Sequence, residues 1–173
     1  MRLPVVFILI TVMIDAMGVG LILPVMPDLI QEVTGGDLSS AAVWGGILAT
    51  VFAFMQFLCG PLLGNLSDRF GRRPVLLVSL VVMSADYVIM ALAPNIWILV
   101  FGRIIGGITA AAYATAMAYM ADVSDDKEKA KAFGLIGASI GLGFVFGPAM
   151  GGFLGQFGSR LPFWAAALFA GGN

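Results

Sequence analysis

"GNLSDRFGRRPVLL", residues 64–77, sets four charges, Asp68, Arg69, Arg72 and Arg73, between two long apolar stretches. Elsewhere charge is scarce. The 173-residue chain is 60% hydrophobic and 11% charged, with a mean hydropathy of +1.02. A soluble domain carries about 25% charged residues. Apolar runs of about 20 residues recur, the length that crosses ~30 Å of hydrocarbon as a helix. The chain therefore reads as an all-α integral membrane protein, and the quoted stretch as the polar connection between two of its spans.

Working outward from that connection, the runs cover residues 4–26, 42–64, 74–93, 96–121 and 132–155. A sixth covers residues 161–173 and would rise only ~20 Å, too short to cross. The sixth helix is thus expected to be truncated and the chain to be a fragment. The first run resembles a signal peptide in its basic Arg2 and its small Ala16 and Gly18. It stays apolar well past the usual signal core of about 7–15 residues, however, and carries Asp15 in its middle. Arg2, the three arginines of the quoted stretch, Lys127, Lys129 and Lys131 fall in alternate connections on one side; Arg160 lies on the other and Arg103 within a span. The positive-inside rule then puts the N-terminus in the cytoplasm. The connection over residues 27–41 carries Asp28, Glu32 and Asp37 without a base, and "DVSDDKEKAK" reads as a solvated loop.

Several classes of chemistry are excluded. There is no histidine, the single Cys59 lies inside an apolar run, and no nucleophile–base pair or metal-ligand cluster occurs. The chain does not read as an enzyme, no resident metal is expected, and a formal charge of -1 gives no reason to expect a nucleic-acid partner. Small residues at four-residue spacing let membrane helices approach closely. They recur as Gly143, Gly147, Gly151 and Gly155 around Pro148, as Gly102, Gly106, Ala110 and Ala114, and as Gly45, Ala49, Ala53, Gly60 and Gly64. Either a tightly packed bundle or surfaces that slide on one another would use them. Pro148 removes a backbone hydrogen bond and is expected to bend its helix.

Asp15, Asp86 and Arg103 lie within spans, where each costs at least ~2.5–3.5 kcal/mol without a partner or a wet cavity. At ~1.5 Å per residue all three fall roughly 16–18 Å from the basic side, near mid-membrane. A buried Asp–Arg pair could simply lock helices together. One arginine neutralises one carboxylate, which leaves a second able to cycle between protonated and ionised forms, as a proton carrier or a ligand for a cationic solute. Thr11 and Gly18 flank Asp15 on one helical face and suggest a polar stripe facing a cavity. Gln56 adds a hydrogen-bonding group to the second span.

These motifs, taken in order, resemble the major facilitator superfamily. "GNLSDRFGRRPVLL" is similar to its loop 2–3 signature, here Gly64, Asp68, Arg69, Gly71, Arg72 and Arg73. "FGRIIGGITAA" resembles its fourth-helix motif, with Arg103 and Gly107. "GFVFGPAMGG" fits the fifth-helix pattern of the drug/proton antiporters at Gly143, Gly147, Pro148, Gly151 and Gly152. "DAMGVGLILPVMPDL", "DYVIMALAP" and "FGRIIGGIT" look closest to the tetracycline efflux proteins.

The resemblance implies the N-terminal six-helix half of a transporter in the inner (cytoplasmic) membrane of a bacterium. It implies export of a small-molecule drug, a metal–tetracycline cation, in exchange for protons, with no cofactor beyond the proton gradient. By the same likeness Asp15, Gln56, Asp86 and Arg103 would bind substrate and protons. Asp68 would meet a helix N-terminus of the second half, an acid at a positive dipole end. Arg72 would pair with Asp68 and with Asp122, making the connection a cytoplasmic latch rather than a topology signal alone. The implied partners are thus drug, protons, lipid bilayer and a C-terminal half that this sequence lacks. A symporter or facilitator of metabolites and a non-transporting membrane scaffold are the competing readings.

Overall fold

The computed structural model describes residues 3–110, 112–125 and 128–172; Arg2 and Lys127 of the basic set, and Asn173, lie outside the described residues. Helices α1 (Leu3–Ile22), α2 (Met26–Thr34), α3 (Leu38–Phe70) and α4 (Arg72–Ala91) form the first part. They are followed by α5 (Ile96–Ala110), α6 (Ala112–Val123), α7 (Lys129–Gly155) and α8 (Leu161–Gly171). Five segments are long and apolar enough to cross a membrane: Val5–Ile22, Leu38–Phe70, Arg72–Ala91, Ile96–Val123 and Lys129–Gly155. The apolar α8 is shorter.

Local chemistry sets several ends away from the edges of the apolar runs. The first helix stops at Ile22, and Met26 opens the separate helix α2. Asp37 caps α3, its Oδ1 accepting the Ser40 N–H at 2.9 Å, so the helix begins before the apolar run does. At its other end α3 continues through Asn65, Ser67 and Asp68 to Phe70. The connection expected over residues 65–73 is therefore mostly helix, and the corner is Gly71 alone. Its φ of +96° lies in the region that favours glycine. Pro74 sits in the first turn of α4, where a missing N–H costs nothing.

The deepest packing is α1 on α7. A Cβ at Gly143 would lie 2.6 Å from the Met13 carbonyl oxygen, and one at Gly147 2.7 Å from that of Met17. One at Gly151 would collide with the carbonyl of Leu21, and Pro148 lies against Gly20. Gly152, by contrast, faces open space. The glycine edge expected on α3 meets almost nothing: Ala49 and Ala53 are exposed, and Gly60 and Gly64 have open space at the Cβ position. On the fourth span the edge ends early, with Ala114 exposed. Four-residue spacing predicts an edge that could receive a helix; it does not supply the helix.

Burial sorts the spans accordingly, 61% for α1 and 50% for α4 against 6% for α3 and 17% for α7. Helices α1 and α4 are the inner ones. One apolar cluster gathers Leu21, Leu29, Ile30, Met90, Leu99 and Phe163 towards the α2 end; another gathers Ile8, Val12, Leu76, Met120 and Ile136 towards the Gly71 end.

The α2 end is held by contacts remote in sequence. Arg160 reaches Glu32 at 3.0 Å, its Nη1 donates to the Ala91 carbonyl at the end of α4 at 2.8 Å, and Ser159 Oγ donates to Glu32. The Ser159 hydroxyl and then Arg160 hold the Glu32 carboxyl below its ordinary range. The clamp is thus complete above that ordinary value and fails as acid protonates Glu32.

The unequal surroundings of neighbouring glycines give a direct test. Gly151→Ala should lower stability by about 1–3 kcal/mol through overpacking, whereas Gly152→Ala should change it little. Thermal unfolding of both variants in detergent checks this, and equal stability would contradict the packing.

Candidate functional site: a polar layer across α1, α4 and α5

Between the two apolar clusters lies a layer of polar side chains on α1, α4 and α5. Asp86 is 2% exposed, and its carboxylate occupies a notch on α5. A Cβ at Gly102 would stand 2.9 Å from Asp86 Oδ1, and one at Gly106 2.9 Å from Oδ2. Two glycines one turn apart therefore leave room for a carboxylate against the α5 backbone. On α1, Asp15 is half-buried and Thr11, one turn earlier, is fully buried. Thr11 Oγ1, Asp15 Oδ1 and Asp86 Oδ1 are buried with no hydrogen-bond partner among the described residues.

Arg103 does not pair with either acid: among the described residues no ion pair within 4 Å joins it to Asp15 or Asp86. Helix geometry explains this. Arg103 follows Gly102 and so points about 100° around α5 from the glycine notch. Its guanidinium sits 5.6 Å from the Phe52 ring centroid and its Nη2 4.0 Å from Met26 Sδ. These residues border a largely apolar cavity of about 210 Å³ between α1, α2, α3 and α5. Arg103 still acts on Asp86 through space. The simple Asp–Arg lock considered from the sequence is not formed.

Gln56 stands apart from this layer. Its Nε2 donates to the Ala110 carbonyl at 3.4 Å, which ties α3 to α5. Gly18 does not extend the polar stripe of α1 into a cavity. It receives the buried Tyr87, whose hydroxyl a Cβ at Gly18 would approach to 2.8 Å. Thr11 and Asp15 do share a small cavity, with Ser79 and Thr109. Tyr87, Ser79 and Thr109 belong to the site, and the run pattern did not single them out. A helical projection from Asp86 would have found Tyr87 beside it and Ser79 about two turns earlier.

A second charged group lies at the Gly71 end. Arg72 contacts Asp68 at 2.6 Å, Ser67 Oγ at 2.9 Å and Asp122 at 3.1 Å, linking α3, α4 and α6. Arg69 stacks over Phe70 at 5.3 Å, and Arg73 is exposed. Gly64 contributes its carbonyl, which accepts from Ser67 Oγ at 2.8 Å. Nothing among the described residues requires Gly64 to lack a side chain.

What the polar layer can do chemically follows from its orphaned oxygens. An ionised carboxylate without a partner at this depth is costly. A proton or a cationic ligand relieves that cost. Among the described residues no group of three or more acidic, cysteine or histidine side chains could hold a metal ion.

Residues 8–172 match the family model of the Major Facilitator Superfamily. The chain is 51% identical over 94% of its length to the tetracycline resistance protein, class C, of Escherichia coli. It is 37% identical over 95% of its length to multidrug resistance protein 2 of Bacillus subtilis (strain 168). It spans only 41% and 40% of those two proteins. The crystal structure of the human organic anion transporter MFSD10 (TETRAN) shares the fold, with a TM-score of 0.77 at 23% identity. That match covers 99% of this chain and 47% of the other.

The notch on α5 makes a quantitative prediction. Gly106→Ala should cost about 1–3 kcal/mol of stability with Asp86 present and much less in an Asp86→Ala background. A double-mutant cycle of thermal unfolding in detergent measures the difference, and additive losses would refute the contact.

Proposed function

The chain belongs to the major facilitator superfamily, whose members are multi-pass membrane transporters and not enzymes, and from that premise we propose that it is the N-terminal half of a proton-coupled drug exporter. The cargo is a small-molecule cation, and the 51% identity to a tetracycline resistance protein favours a metal–tetracycline complex. The metal travels as part of the cargo. The half comprises the five spans Val5–Ile22, Leu38–Phe70, Arg72–Ala91, Ile96–Val123 and Lys129–Gly155 with the shorter apolar Leu161–Gly171, and a C-terminal half completes the cavity. The N-terminus lies in the cytoplasm of a bacterium, and the helices cross its inner membrane.

The observation that carries this reading is the Asp86 carboxylate, 2% exposed in a glycine notch and without an ion pair among the described residues. A structural aspartate would be paired; an exchange site must be left free for its ligand. In the proposed cycle the cationic drug binds at Asp86 beside the apolar cavity under Arg103, while Asp15 takes the proton. Protonation of Asp15 removes one of the two negative charges of the layer that holds the cation, which weakens drug binding, so release on the outer side is coupled to proton entry. Gln56 holds α3 against α5. Binding near mid-membrane lets the two halves rock about a fixed site and expose it to each side in turn.

The Arg72 group works as the latch of this cycle. Arg72 fastens the ends of α3, α4 and α6 through Asp68 and Asp122. Asp68 keeps much of its carboxylate exposed, free to meet a helix N-terminus of the second half. Arg69, Gly71 and Arg73 complete that connection, and Gly64 precedes it.

The test is tetracycline transport in inverted membrane vesicles carrying the protein in full. Drug uptake should release protons from the acidified interior. Asp86→Asn should abolish both while the variant still inserts at normal levels. Undiminished uptake by Asp86→Asn would refute the assignment, and uptake without proton movement would refute the coupling.

A further inference from the structure

Four side chains that carry a hydroxyl or carboxylate group, from three helices, line one small space. Thr11 and Asp15 lie one turn apart on α1, Ser79 comes from α4 and Thr109 from α5, and together they line a cavity of about 10 Å³. That volume holds about one water molecule. Thr11 Oγ1 and Asp15 Oδ1 are buried and have no hydrogen-bond partner among the described residues. The Thr109 hydroxyl donates to the Gly106 carbonyl at 3.0 Å and so turns its lone pairs outward as acceptors. Empty cavities in proteins are lined by apolar groups, whereas a cavity offering two to four polar partners is filled. Four oxygens match the two donors and two acceptors of water, and are fewer than the six to eight that a calcium ion takes.

We infer that this cavity is a binding site for one water molecule, held by Asp15, Thr11, Ser79 and Thr109. The water donates to Asp15 when the carboxylate is ionised and accepts from it when the acid is protonated, by turning in place. Thr11, Ser79 and Thr109 are then positioning residues for Asp15. This last step rests on the reading of Asp15 as the proton carrier; the water site itself does not.

Met83, 8% exposed, lines the same cavity and supplies the probe. Brief X-ray radiolysis of the protein in lipid membranes generates hydroxyl radicals from bound water, and these oxidise the nearest side chains. Met83 should be oxidised well above Met90, which is 1% exposed and packs against Gly102 instead. After rapid mixing with ¹⁸O water, label should enter Met83 with a lag, as the bound molecule exchanges. Thr11→Val, which keeps the side-chain shape, should lower Met83 oxidation by roughly fivefold, the worth of one hydrogen bond. Ser79→Ala should lower it similarly. Met83 oxidation no greater than that of Met90, or unchanged in both variants, would overturn the proposal. If the water is found and Asp15→Asn still transports drug against protons, the proton-carrier reading fails while the water site stands.

Discussion

The close approach of α7 to α1 is the contact on which the remaining arrangement depends. Gly143, Gly147 and Gly151 place backbone directly on the carbonyls of Met13, Met17 and Leu21. In a bilayer there is little hydrophobic gain from bringing helices together, so dispersion contacts over such a surface carry the association. With one face of α1 committed to α7, Thr11, Asp15 and Gly18 are turned towards α4 and α5. Gly18 then admits Tyr87, and Gly102 and Gly106 admit Asp86. Small residues thus do two jobs: on α7 they admit a helix, and on α5 they admit a charge.

That second job gives the polar layer its chemistry. A carboxylate bonded to an arginine is fixed; one seated against glycines, with the arginine turned to an aromatic face, is held in place without being satisfied. Arg103 lends a positive field without closing the site. The two ends of the bundle are fastened differently. Arg72 joins three helix ends through exposed acids, and such surface pairs are worth about 0–1 kcal/mol. They can therefore be broken and remade as helices move. Glu32, Ser159 and Arg160 join α2, α4 and the turn before α8 at the opposite end.

Much of this was written locally in the sequence. Runs of about 20 apolar residues mark the spans, and charges inside them stand out because they are expensive. The edge of α7 is legible because helical period and glycine spacing coincide. What stayed hidden is tertiary. The same spacing on α3 meets almost nothing among the described residues, and Gly152 points away from α1 although Gly151 beside it is in contact. No local pattern joins Glu32 to Arg160, 128 residues later. The polar connection that first announces the fold proved to be a helix end and a single corner at Gly71. Asn65, Ser67 and Asp68 have modest helix propensity, but α3 continues through them until a residue with positive φ stops it.

The central claim is that Asp15 and Asp86 form one exchangeable site for protons and a cationic drug. Hydrophobic carbodiimide labelling of membranes carrying the protein tests it directly, because the reagent modifies protonated carboxyls within the bilayer. Labelling at both aspartates, with tetracycline and its metal protecting both together, is the predicted result. Labelling that the drug leaves unchanged at both positions would contradict the account.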